Sequence, residues 1–143
     1  ENGLHFVINS PQKKLIHINF LKGQMGWRLK RTDHEILLKK ALGKKKDNLT
    51  IFDGTAGFLS DTLIFLALGH KVIACEQSSI LFMLLNDAIN RAREELIFLK
   101  NLDLVYGNAV DIYKNKRTID LIYLDPMYPD SKKNTCAFFN RNR

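Results

Sequence analysis

Two short apolar runs, each stopping on an aspartate before the backbone bends, constrain this chain more than any other feature. They are Leu49–Gly57, LTIFDGTAG, and Leu121–Pro129, LIYLDPMYP. Apolar runs of this length closed by turn residues suit buried strands. In an open parallel sheet, ligands sit beyond the carboxyl ends of the strands. Two aspartates at two such ends therefore predict an α/β fold, central strands mostly parallel, with one site shared between them.

The 143 residues, 45% of them hydrophobic, suffice for a globular domain with a real core. The 22 Lys and Arg outnumber the 15 Asp and Glu, giving a formal charge of +7. A basic excess suits a polyanionic partner, because cations on the protein release counterions from phosphates. Cys75 and Cys136 fit a reduced, cytoplasmic setting better than a disulfide framework. No apolar run approaches membrane-spanning length and no signal peptide is visible, so no membrane partner is expected. The chain opens on Glu1 and closes on the polar FFNRNR, as a fragment would.

Leu4–Ile8 and Leu15–Phe20 read as two strands of a small N-terminal hairpin, with His5 and His17 on strand faces. In Lys22–Arg31, KGQMGWRLKR, two glycines loosen a loop around Trp27. The tryptophan either stacks on a base while Lys22, Arg28, Lys30 and Arg31 hold phosphates, or anchors a solvated loop to the core. Residues 1–31 thus form a hairpin and basic loop, and 32–143 the main domain. Thr32 or Asp33 caps a helix to about Leu42, with Ile36, Leu37, Leu38 and Ala41 on its apolar side; Gly43 ends it before Lys44–Lys46. His34 on this helix is exposed. After the strand Leu49–Asp53 and the turn Gly54–Gly57, Ser60 or Asp61 opens a helix through Leu68. Gly69 and His70 close it, and Lys71–Glu76 is the next strand. Ser78 or Ser79 caps a helix to about Arg93, buried along Ile80, Leu81, Leu84, Leu85, Ala88 and Ile89. Leu102–Tyr106 and Ile119–Leu124 complete the strands; Lys132, Lys133, Arg141 and Arg143 lie in a tail without a firm signal.

A β-turn-α-β unit with acids at its strand ends is a nucleotide-binding arrangement. A dinucleotide site needs G-x-G-x-x-G so that amides approach a pyrophosphate. Here Thr55 stands in a turn holding only Gly54 and Gly57, directly after Asp53. A carboxylate there opposes a diphosphate but attracts the cationic amino-acid end of S-adenosylmethionine. Glu76 suits the two ribose hydroxyls, and Asn108, with the Ala109 amide beside it, suits the adenine edge. Asp61 is either a helix cap or a ligand contact. Asp125 stands before Pro126, which holds it extended and offers a carbonyl beside the carboxylate. Those acceptors fit an exocyclic amino group, and Tyr128 can stack on its base. An amine conjugated to a ring is a weak nucleophile, so bonds that strengthen as charge develops on it favour transfer. No metal-ligand cluster and no nucleophilic Ser or Cys with a His competes.

DGTAGFLSD, CEQ, YGNAVD and YLDPMYP resemble the bacterial small-subunit ribosomal RNA guanine-N2 methyltransferases of the YhiQ type. The resemblance runs from about Leu15 to Lys133. It implies a Rossmann-like class I methyltransferase sheet behind the hairpin, S-adenosyl-L-methionine as donor, and a guanine N2 amine of small-subunit ribosomal RNA as acceptor. By the same resemblance Ser60, Asp61, Glu76, Gln77, Asn108, Ala109 and Asp125 match cofactor-binding positions. Ser60 and Gln77 stand where the family commonly has arginine. Family members also run on for roughly another hundred residues, so the later, C-terminal strands of the sheet are expected to be missing from this chain. A DNA amino-methyltransferase and a non-catalytic RNA-binding module are the competing expectations.

Overall fold

The computed structural model describes residues 3–9, 11–43, 48–116 and 118–126. At the N-terminus β1 (Phe6–Ile8) pairs antiparallel with β2 (Lys14–Ile16), Phe6 opposite Ile16. The hairpin expected here is present, with shorter strands. His5 and His17 fall just outside them and stack on each other, ring centroids 4.3 Å apart. The hairpin is fastened to the rest by Asp87, which accepts from Leu4 N at 2.9 Å, and by Arg91, which donates to the Ile18 carbonyl at 2.6 Å.

Lys22–Arg31 is not a loop. It holds α1 (Gly23–Lys30), followed by a 3-10 turn (Thr32–His34) and α2 (Ile36–Leu42). Met25 and Leu29, one turn apart, pack against the core and outweigh the low helix propensity of two glycines. Gly26 is itself a packing residue: a Cβ there would lie 2.4 Å from the Leu21 carbonyl oxygen. The single helix expected from Thr32 or Asp33 to Leu42 is split, and neither residue caps α2 through its side chain. Leu42 is buried and Leu38 half-buried, while Ile36 and Leu37, expected inside, are exposed.

The remaining elements alternate. They are β3 (Thr50–Asp53), α3 (Ser60–Ala67), β4 (Lys71–Glu76), α4 (Ser79–Ala92), a 3-10 turn (Ile97–Asn101), β5 (Leu102–Tyr106), α5 (Ala109–Lys114) and β6 (Leu121–Tyr123). The sheet has the order β5-β4-β3-β6 with every pair parallel. From β3 the chain steps outward to β4 and β5, then returns to the other flank of β3 as β6. That reversal opens a crevice at the strand ends, where Asp53 stands opposite Ala74 on one side and Tyr123 on the other. Ile51 and Phe52 on β3 are buried on both faces of the sheet, and Leu63–Leu66 of α3 are buried all round. Each such side chain contributes about 1.5–3 kcal/mol relative to exposure. Ser78 caps α4, its Oγ accepting from Leu81 N at 3.3 Å. Ile80 faces solvent rather than the core. Among the described residues no helix is long and apolar enough to cross a membrane.

Candidate active site

The strand ends and the turns after them enclose a cleft of about 580 Å3. Asp53, Glu76 and Asp125 all line it, together with Gly54–Phe58, Ser60, Asp61, Cys75, Gln77, Leu81, Gly107–Val110 and Pro126. The described wall therefore carries four carboxylates and no Lys, Arg or His, in a chain whose net charge is +7. Such a hollow suits a cationic ligand and disfavours a pyrophosphate, since like charges repel in a partly desolvated space.

Each acid has its own setting. Asp53 is 2% exposed; its Oδ1 accepts from Thr55 N at 3.0 Å and its Oδ2 from Thr62 Oγ1 at 2.5 Å. Burial pushes its carboxyl above the ordinary aspartate range, and the bonds from Thr62 and Thr55 restrain the rise. Glu76 is half-buried, and its Oε1 accepts from Ser78 N at 2.6 Å, which fixes the turn into α4 and leaves the second oxygen for a ligand. Asp125 is exposed, with its amide donating to Thr55 Oγ1 at 2.7 Å. Thr55 thus joins the turn after β3 to the segment after β6.

The turn after β3 is tight. A Cβ on Gly54 would stand 2.7 Å from Leu124 Cδ2, and fully buried Leu59 adopts φ 61 at the start of α3. A left-handed leucine is costly and persists only where its surroundings over-determine it. Here its amide donates to the Ala56 carbonyl at 2.7 Å and its carbonyl accepts from Leu63 N at 2.9 Å.

These strand ends and turns lie within a stretch that matches a known family. A family described as putative SAM-dependent methyltransferase matches residues 2–138. The chain belongs to this family. The ribosomal RNA small subunit methyltransferase J of Desulfotalea psychrophila is 38% identical over 126 residues, 84% of this chain and 48% of the relative. The protein of the same name from Bdellovibrio bacteriovorus is 33% identical over 131 residues, 88% of this chain and 51% of the relative. The chain spans about half the length of the curated relatives it matches. Among solved structures, a SAM-dependent methyltransferase from Neisseria gonorrhoeae is similar with a TM-score of 0.58 and 28% identity, over 82% of this chain and 50% of that one.

Within this SAM-dependent methyltransferase fold, every expected site residue that is described lines the one cleft; Tyr128, with Met127 and Pro129, lies outside the described residues. Some of them are already engaged. Asp61 is not a helix cap, for Leu59 holds that position. Its Oδ1 takes Arg28 at 2.7 Å and its Oδ2 the Tyr123 hydroxyl at 2.6 Å. Asn108 caps α5, Oδ1 accepting from Val110 N at 2.9 Å, so only its amide NH2 is left for an adenine edge. Ser60 and Gln77 line the cleft as short polar side chains without charge.

The sequence offers Arg28 as a phosphate contact, whereas the structure turns it inward, and it gives no sign of the Tyr123 contact. Arg28 Nε and NH2 fork onto Glu35 at 2.6 and 3.0 Å while the guanidinium also reaches Asp61. The Glu35 bond, with Asp61 behind it, outweighs partial burial and holds Arg28 charged. Burial and the Asp61 bond raise the Tyr123 phenol above its usual range, so it stays a donor. Neither role has a local signal, because Arg28 and Asp61 are distant in sequence and meet only when α1 packs on α3. Cys75 faces the cleft as a thiol that burial pushes up to about 11.

Proposed function

We propose that the cleft binds S-adenosyl-L-methionine and that the protein methylates the N2 amine of a guanine in small-subunit ribosomal RNA, in the cytoplasm. The observation that carries the reading is the acid-lined wall, with no Lys, Arg or His among its described residues, at the switch point of a parallel sheet in a chain of net charge +7. When bound, the donor supplies an electrophilic methyl group on a sulfonium. Its chemistry fits the residues present: the ammonium of the amino-acid end near Asp53, ribose hydroxyls at the open oxygen of Glu76, and an adenine edge at Asn108 and the Ala109 amide. Thr55, Gly57, Ser60, Asp61 and Gln77 complete that pocket's lining.

Asp125 and the Pro126 carbonyl then hold the target amine. A carboxylate and a carbonyl accept the amine's two N–H bonds and tighten as positive charge develops on nitrogen, which favours the transition state over the ground state. Asp125 is also where the surplus amine proton is held as the nitrogen gains its methyl group. Thr55 fixes the Asp125 backbone against the turn after β3, which matters because alignment supplies much of such a rate. Tyr128 is assigned the stacking role against the base. The relatives' names speak of ribosomal RNA, and the basic excess suits that polyanion.

Labelled-methyl transfer to small-subunit ribosomal RNA and to duplex DNA tests the reading. RNA is expected to take the label. Asp125→Ala is expected to lose on the order of 100- to 1,000-fold in rate, the cost of one positioned electrostatic group, with folding and donor binding intact. Label on DNA alone, or full activity in the variant, contradicts it.

A further inference from the structure

Methyl transfer in the cleft leaves the outer face of α1 without a role. Trp27, the only tryptophan of the chain, stands there 59% exposed. Arg31, one helical turn on, lays its guanidinium 4.6 Å from the indole centroid. Among the described residues neither Arg31 nor Lys30 pairs with an acid. Arg28, next to Trp27, is by contrast tied inward to Glu35 and Asp61. Asp61 lines the cleft and also holds Tyr123, two residues before Asp125. That chain of bonds fixes α1 beside the strand end that carries Asp125, which is the acceptor side of the cleft.

We propose that Trp27, Lys30 and Arg31 form a platform for a single-stranded RNA nucleotide flanking the one that is methylated. This rests on the RNA methyl-transfer reading. The indole offers a flat face to a base, and Lys30 and Arg31 meet the phosphates on either side of it. Stacking of this kind is tolerant of sequence, and unpaired cations beside the ring select a polyanion over an apolar protein surface. Among the described residues no cation lines the cleft, and the cations of this face are placed to meet phosphates outside it. Both faces of α1 therefore have a use: Arg28 holds the helix in place, and Trp27 presents a surface to the substrate.

The single tryptophan makes the test direct, since all indole emission reports on this position. The free chain is expected to show the red-shifted emission of a hydrated indole. A short single-stranded RNA oligonucleotide of mixed sequence should quench it saturably. Trp27→Ala should weaken RNA binding by about 5- to 150-fold, the worth of one stacked base, and leave S-adenosylmethionine binding unchanged. Trp27→Phe should restore most of the affinity, and Lys30→Ala with Arg31→Ala should make binding less dependent on salt. RNA binding without quenching, at equal affinity in Trp27→Ala, overturns the platform and leaves RNA methylation standing. So does blue-shifted emission from the free chain, which would show the indole covered. A parent chain that binds the donor but no RNA overturns the RNA reading and the platform together.

Discussion

Among single residues, Asp53 shows how a site stores its own cost. A buried carboxylate is destabilising unless hydrogen bonds repay its desolvation, and here burial wins over the bonds from Thr62 and Thr55, so the carboxyl titrates above its ordinary value. A group raised in this way favours the folded state fully below the unfolded pKa. That favour is lost as pH rises through the folded value. Asp53→Asn keeps an acceptor for Thr55 N, turns an NH2 toward Thr62, and removes the charge. Its stability relative to the parent, read from urea midpoints, should therefore increase from about pH 4 to neutrality; a flat or falling difference contradicts the assignment. At this scale part of the site is legible in the sequence. That Asp53, Glu76 and Asp125 face one hollow was legible, because each ends an apolar run and parallel strands end on one side. That Asp61 and Asn108 are already occupied was not, because the Arg28 and Tyr123 that claim the first come from far away, and the second depended on a six-residue helix too short to show a period.

The elements separate along the same line. Strands β3 and β4 and helix α4 carry their patterns locally and were legible within a residue or two. Helix α1 was not, since Gly23 and Gly26 read as loop signals. The reason for Gly26 is a tertiary one, the Leu21 carbonyl that leaves no space for a Cβ. The bond that matters most for α1 is Arg28, with side chains of Arg28, Glu35 and Asp61 each 21–24% exposed. Arg28→Met leaves two carboxylates without their partner. It should cost about 1.5–3 kcal/mol, the worth of hydrogen bonds to charged groups, seen as a lower urea midpoint at unchanged slope. Arg28→Lys should recover only part of it, because an ammonium cannot fork onto Glu35 and reach Asp61 at once. A methionine variant as stable as the parent would mean that the network does not hold α1 in place.

At the scale of the molecule, charge is partitioned. Four acids and no described cation line the switch point of the sheet in a chain of net charge +7, and α1 carries exposed Lys30, followed directly by exposed Arg31. The partition follows from topology: strand ends that carry acids converge where β6 crosses to the far side of β3, while helix surfaces are free to take Lys and Arg. Calorimetric titration of S-adenosylmethionine into the parent chain and into Glu76→Ala reads this division most directly. One saturable site is expected in the parent. The variant should bind about 10- to 150-fold more weakly, as one or two charge-assisted bonds to ribose would require, and a dinucleotide should not compete in either. No heat in the parent, equal affinity in both proteins, or displacement by a pyrophosphate-bearing ligand would contradict the acid-lined donor cleft.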